Sequence, residues 1–370
     1  MTKTHAPRPL EVLLRTFDDQ PAHLLSKIGL LYVVLLAGNL AAWLLAFASF
    51  RHYPVLLGTS LLAFGFGLRH AVDADHIAAI DNVTRKLMQD GSRPIGVGLF
   101  FSLGHSSVVV LACVGVAATA MTFKDRIESL HAIGGLIGTS ISAIFLLVLA
   151  VLNLFILAHV VRAFLRAKTS REYVEEDLNI LLAKGGILSR LLRPLFGMIT
   201  RSWHMYPLGV LFGLGFDTAT EIGLLGISAA EASKGLPLWS ILIFPALFTA
   251  GMTLIDTTDS ILMLGAYGWA FVKPLRKLYY NVTITFVSVV VELVVGGVEA
   301  MGLLREQLSL SGAFWDGVGQ LNDHFGALGY LIIAIFALSW VCSMMIYRLY
   351  DYDSIELELG DGKTSKPVKR

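Results

Sequence analysis

The stretch GLRHAVDADHIAAID, Gly67 to Asp81, decides the fold. It closes a run from Pro54 to Leu68 that holds no ionisable side chain, then adds an arginine, two histidines and three aspartates. A run of that length and composition reads as part of a membrane helix, because about 20 residues at roughly 1.5 Å each cross a bilayer core. The ionisable groups that continue it sit where a charge costs on the order of 2.5–3.5 kcal/mol, which marks a site or a pathway.

The rest of the chain agrees. Of its 370 residues 55% are hydrophobic and 15% charged, the balance of a polytopic membrane protein. Apolar runs of spanning length predict an all-α protein of about eight transmembrane helices, near Ile28–Phe50, Pro54–Ile80, Pro94–Met121, Ala132–Val161, Pro207–Ala230, Pro237–Trp269, Tyr279–Leu303 and Gly326–Tyr347. With the N-terminus inside, the cytoplasmic segments hold 23 of the 29 Lys and Arg and the external loops hold 5, with Arg69 inside span 2. That asymmetry predicts cytoplasmic termini and a multi-pass protein of the cytoplasmic (inner) membrane.

The expected organisation is a cytoplasmic segment 1–27, spans 1–4 over 28–161, a cytoplasmic linker 162–206, spans 5–8 over 207–347 and a cytoplasmic tail 348–370. The first apolar run is span-length with no small-residue cleavage site after it, so it reads as an uncleaved helix. The linker contains an amphipathic ILSRLLRPLFGMI suited to the membrane surface, and the polar tail reads as disordered. A net charge of +1 gives no reason to expect nucleic-acid binding, and nothing in the chain implies a protein partner besides the lipid bilayer. Cys113 and Cys342 lie in predicted spans and read as packing residues rather than metal ligands or a disulfide.

Span 2 and its inner end carry Arg69, His70, Asp73, Asp75, His76 and Asp81. On a continuous helix His70, Asp73 and His76 fall at roughly 0°, 300° and 240°, on one side, while Asp75 points away near 140°. Two imidazoles and a carboxylate suit a borderline divalent transition metal, with Asp73 favoured as the ligand beside the histidines. Asp75 then orients an imidazole or pairs with Arg69.

Other spans supply partners: His105 about 16 Å into the bilayer from Pro94, Asp217 and Glu221 on one face of span 5, and Asp256 and Asp259 in span 6. Glu292 and Glu299 lie in span 7, and Asn39 in span 1. Glu292 reads as a proton relay, a partner for Arg69 or a neutral packing acid; Glu299, with the carboxylates of spans 5 and 6, reads as part of an acidic entrance; Asn39 is a candidate for tuning the site beside His70. FGLRHAVDADHI from Phe66 and FGLGFDTATEIG from Phe212 echo one another; an inverted repeat of spans 2–4 and 5–7 is one reading, chance the other.

RHAVDADHIAAIDN, FSLGHSSVV, LGFDTATEIGLL and GMTLIDTTDS occur in this order from Arg69, Phe101, Leu214 and Gly251. Together they resemble the motifs of the nickel/cobalt transporter family, of the high-affinity nickel permease type. The resemblance implies a permease that takes Ni²⁺, Co²⁺ or both into the cytoplasm. By position it carries a role to His70, Asp75, His76, His105 and the acidic residues of spans 5 and 6.

No cofactor is expected beyond the transported ion, and without a Walker-type loop ATP hydrolysis in this chain is not expected either. An interior-negative potential gains a dication roughly 4.6 kcal/mol per 100 mV, enough to drive secondary uptake. An exporter with the same ligands and an intramembrane metal-dependent hydrolase are the alternatives; the absence of an H-E-x-x-H pair argues against the second.

Overall fold

The structure is a computed structural model that describes residues 19–119, 124–170, 172–173, 199–214, 219–270, 274–349 and 358–359. It is all-helical apart from one two-residue strand pair. The first helices are α1 Leu24–Phe50, α2 Pro54–His70, α3 Ala74–Gln89, α4 Val97–Thr119 and α5 Lys124–Ser170. A single 3-10 turn at Ser202–His204 then leads into α6 Met205–Gly213, followed by α7 Ala219–Ser233, α8 Leu238–Ile241 and α9 Ile243–Ala270. The last described helices are α10 Pro274–Gln307, α11 Ala313–Asp323 and α12 Phe325–Leu349.

Six helical segments among the described residues are long and apolar enough to cross a membrane: Leu24–Phe50, Val97–Ala118, Thr139–Arg166, Leu238–Gly268, Leu278–Gln307 and Ala327–Tyr347. The α2–α3 pair makes a seventh if counted as one span. The expected fifth span is represented by α6 and α7, each short of spanning length.

The second span is not the continuous helix that its apolar run predicts. Pro54 opens α2 at a position where a missing N–H costs nothing, and the helix stops at His70. Asp73 is extended, with φ −67° and ψ 148°, and α3 starts after it on an axis turned by 52°. Asp73 thus takes the backbone conformation of an N-cap, but its side chain does not cap α3.

The polar helix α3 is the enclosed element of the molecule, with thirteen of its sixteen residues buried. Ala79, Ile80, Val83 and Leu87 pack with Val97 and Phe101 of α4 and Met205, Leu208 and Phe212 of α6. Ala74, Ile77 and Ala78 pack with Leu146 of α5, Val291 and Val295 of α10 and Ile332 and Phe336 of α12. Large apolar side chains such as Leu40, Leu44 and Phe47 of α1 and Leu331 and Leu338 of α12 face outward. Polar groups inside and hydrocarbon outside is the arrangement a bilayer solvent selects.

Two glycines set the spacing at the centre. A Cβ on Gly67 of α2 would lie 2.0 Å from the carbonyl oxygen of Phe248, and one on Gly98 of α4 would lie 2.0 Å from that of Asp256. Both carbonyls belong to α9, so α2 and α4 meet α9 in backbone contact.

The expected boundaries shift at the linker and tail. Helix α5 continues to Ser170, past the predicted span end at Val161, and Glu172–Tyr173 pairs in parallel with Glu358–Leu359. That strand pairing corrects the expectation of a wholly disordered tail: backbone groups of the tail find partners in the linker. Most of the amphipathic linker segment lies outside the described residues.

Candidate metal site

The break between α2 and α3 places His70 at the end of one helix and His76 in the first turn of the next, so their rings turn toward each other. Their centroids lie 4.7 Å apart. His105 of α4 completes a triangle, 4.7 Å from His70 and 4.9 Å from His76. All three are buried, and each offers a ring nitrogen within 4.8 Å of the others. Among the described residues this is the one group of histidine, cysteine and carboxylate donors close enough to share an ion.

The rings are oriented by carboxylates. Nδ1 of His70 lies 3.1 Å from Asp73 Oδ2, and Nδ1 of His76 lies 3.2 Å from Asp256 Oδ2. An Nδ1–H donated to a carboxylate leaves Nε2 as the lone-pair nitrogen and makes it a better donor to a metal. Nε2 of His70 lies 3.0 Å from Nε2 of His105, which is 2.9 Å from Glu221 Oε1. Nε2 of His76 and Nδ1 of His105 are buried without a hydrogen-bond partner.

The surroundings hold this frame. Ser102 donates to Asp256 Oδ2 at 2.5 Å, and Thr220 Oγ1 of α7 lies 3.3 Å from His70 Nδ1. Phe248 stacks obliquely on His70 at 5.5 Å, and Phe101 meets His76 edge-on at 4.8 Å. Five helices therefore meet here: α2, α3, α4, α7 and α9. The aromatic walls keep the nitrogen triangle in a low-dielectric pocket, where cation and ligand attract strongly.

The convergence of His70, Asp73 and His76 holds, but not for the expected reason. The helical wheel assumes an unbroken helix, whereas the chain straightens before Asp73 and changes direction. Asp73 consequently reaches Nδ1 of His70, behind the ring, instead of joining the Nε2 atoms. Asp73 is also in electrostatic reach of Arg69. Asp75 is half-buried and acts on His105 through space.

The remaining candidates divide. Glu221 and Asp256 join the histidines, while Asp259 lies one turn beyond Asp256 on α9. Asp217 lies outside the described residues. Asn39 donates its amide to the carbonyls of Leu35 and Ala250, at 3.0 and 3.1 Å, tying α1 to α9. Glu299 is buried against α5, where Ser142 Oγ lies 3.0 and 2.9 Å from its two oxygens, a place unlike an exposed entrance. Glu292 accepts a bond from Asn153. Cys113 is buried and Cys342 exposed, and both are free thiols.

Sequence reasoning missed the walls formed by Phe101 and Phe248, since apolar residues in an apolar span carry no signal. It also missed Arg85, Asn153 and Tyr267, treated below. Arg85 carried a legible clue in standing four residues after Asp81, one helical turn.

The chain is similar to known proteins over most of its length. The chain is 62% identical over 332 residues to the high-affinity nickel transport protein of Cupriavidus necator, covering 90% of this chain and 95% of that one. It is 46% identical over 333 residues to the nickel transporter NicT of Mycobacterium tuberculosis, covering 87% and 89%. It is 39% identical over 298 residues to the cobalt transport protein NhlF of Rhodococcus rhodochrous, covering 80% and 84%. No solved structure matches it. The family model described as high-affinity nickel-transport protein, NicO, matches residues 56–346, and the chain belongs to that family: it is a multi-pass membrane transporter and not an enzyme.

Proposed function

We propose that the chain carries Ni²⁺, and Co²⁺ with it, into the cytoplasm across the cytoplasmic membrane without hydrolysing ATP, and that His70, His76 and His105 hold the ion in transit. The observation that carries this reading is the nitrogen triangle with carboxylates behind two of its rings. Imidazole suits nickel, cobalt, zinc and copper, and carboxylate-backed imidazoles are the usual form of a metal-ligating histidine. The 3.0 Å between Nε2 of His70 and His105 is near the edge that two ligands at right angles make at about 2.1 Å from a metal.

The names of the nickel relatives support nickel as substrate, and that of the Rhodococcus protein supports cobalt. Three neutral imidazoles leave a bound dication its full charge, so an interior-negative potential drives it inward. Asp73, Asp256 and Glu221 lower the cost of that charge in the pocket without surrounding it with carboxylate oxygens, which would favour Mg²⁺ or Ca²⁺. With the termini in the cytoplasm, α3 runs from the site toward the inner face.

The test is accumulation of radioactive nickel and cobalt, each at trace concentration with Mg²⁺ in excess, in cells expressing wild type or His70→Ala. The reading expects accumulation that vanishes in the variant. Equal accumulation in both would sink it, and faster loss of preloaded metal from wild-type cells would reverse the direction.

A further inference from the structure

Backbone contact sorts the helices around the site into two bodies. A Cβ on Gly104 of α4 would lie 2.0 Å from the carbonyl oxygen of Tyr206, and one on Gly209 of α6 would lie 2.1 Å from that of Phe101. Helices α4 and α6 therefore touch as closely as α4 and α9 do, and with α2 held on α9 through Gly67 these four form one body. Helices α5 and α10 form the other, where a Cβ on Gly296 would lie 3.1 Å from Leu146 and 3.3 Å from the Ala143 carbonyl oxygen.

Helix α3 lies between them and belongs with the first. Ala79, Ile80, Val83 and Leu87 pack on α4 and α6, and the Tyr267 hydroxyl of α9 bonds Asp81. The end of α3 nearer the histidines is pinned to the second body as well. Ala74 and Ile77 pack with Val291 and Val295 of α10, and a Cβ on Gly329 of α12 would lie 1.5 Å from the Val72 carbonyl oxygen.

Further along α3 the contact with α10 changes character. Ser288 donates to Asp81 at 3.3 Å, Arg85 donates to Thr285 at 2.8 Å, and Gln89 donates to Asn281 at 3.4 Å. Positions 81, 85 and 89 are successive turns of α3, and 288, 285 and 281 are successive turns of α10, so the bonds form an antiparallel polar ladder about 12 Å long. Asn153 of α5 widens it by donating to Asn82 at 2.9 Å and to Glu292 at 2.5 Å. Beside the ladder, between α3 and α5, lies a cavity of about 40 Å³ bordered by Asn82, Arg85 and Gln89, with room for roughly two or three waters.

Touching backbones and apolar faces lose their packing when they part, whereas every member of the ladder can take water in place of its partner. Polar side chains that face one another inside a membrane mark such wettable routes. This one starts five residues beyond His76 and runs to the end of α3.

We propose that the α3–α10 seam is the ion's way out: the two bodies part along it, hinging at the break before Asp73, and the ion leaves the imidazoles through the water that replaces the ladder. The proposal rests on the transport reading. No side chain of the seam holds the ion. While the seam is closed its own hydrogen bonds shut it and the Arg85 guanidinium repels a dication; once it is wet, water screens that charge.

The test links the two bodies. Gln89→Cys with Asn281→Cys, in a full-length chain that also carries Cys113→Ala and Cys342→Ala, is treated with a short bis-methanethiosulfonate. Ni²⁺ uptake by proteoliposomes is measured beside Ni²⁺ binding by equilibrium dialysis. Uptake should fall about tenfold or more while binding is unchanged, and should return when the link is reduced and the reductant removed. A matched link inside the first body, Ser107→Cys with Tyr206→Cys at hydroxyls 2.8 Å apart, should leave uptake unchanged. Uptake that survives the 89–281 link, or that both links abolish, overturns the proposal.

If the doubly substituted chain does not fold, Ser288→Cys in the same cysteine-free background decides. Its thiol, at a position with 0% exposure, should react with a water-soluble maleimide several-fold faster during Ni²⁺ transport than without Ni²⁺. Equal rates overturn the proposal. Failure of the imidazole site reads out separately, as Ni²⁺ binding that survives His76→Ala.

Discussion

The molecule buries two polar clusters on the same short helix, one at each end of α3, and they are built on opposite principles. Around His70 and His76 the carboxylates stand behind the rings at Nδ1, Glu221 meets His105 at Nε2, and the ring nitrogens face one another with His76 Nε2 unpartnered. Around Arg85 a cation of the protein itself is bonded to Thr285 and Asn82, with Asp81 and Glu292 in electrostatic reach. A site for a guest cation leaves neutral donors facing one another, whereas the cluster at Arg85 already holds a cation of its own. The difference lies in where the fixed positive charge is, since both clusters are equally well buried.

The comparison breaks most directly at the first cluster. His76→Ala should abolish high-affinity nickel uptake, a fall of about a hundredfold or more, with the protein still folded; uptake near wild type would show that the triangle is not the site. Gly98→Ala should act nearly as strongly through the backbone, because its methyl would meet the Asp256 carbonyl at 2.0 Å and push α4 from α9. Its thermal unfolding midpoint and its uptake should fall together, while Gly226→Ala, with nothing within 4 Å, should match wild type in both.

Smaller effects sharpen the roles. Asp256→Asn keeps the shape but removes the charge behind His76, and nickel affinity should drop about 10–100-fold without loss of the fold, as read by titration of the purified protein. Ser102→Ala leaves Asp256 in place with one hydrogen bond fewer, worth about 1.5–3 kcal/mol to a charged acceptor, so its affinity loss should be of that size or below. Asn39→Ala should cost about 1 kcal/mol of stability and leave the nickel-to-cobalt uptake ratio unchanged, since its amide ties α1 to α9. A shifted ratio would return Asn39 to the site.

How much was legible differs between the clusters for a physical reason. His70, His76 and His105 stood out because a histidine in an apolar run is costly and therefore informative. Arg85 and Asn82 were passed over because α3 reads as polar as a loop, and a charge in a loop carries no message. Only burial on all sides turns that segment into an interior helix, and burial is a property of its neighbours. Glu299 shows the reverse error: a carboxylate near a span end reads as an entrance, yet Ser142 and the α5–α10 contact enclose it.

The sequence by itself determined the class of molecule, a polytopic helical membrane protein with intramembrane imidazoles and carboxylates, because hydrophobic length and the cost of buried charge are local quantities. It also carried the four motifs that name the family. Only the tertiary structure decided that span 2 breaks before Asp73, that Asp73 and Asp256 stand behind the rings, and that Glu292 of α10 comes into electrostatic reach of Arg85. Those facts depend on which helix backbones touch. The contacts of Gly67 and Gly98 with α9 set that arrangement, and no periodicity along one strand of sequence encodes it.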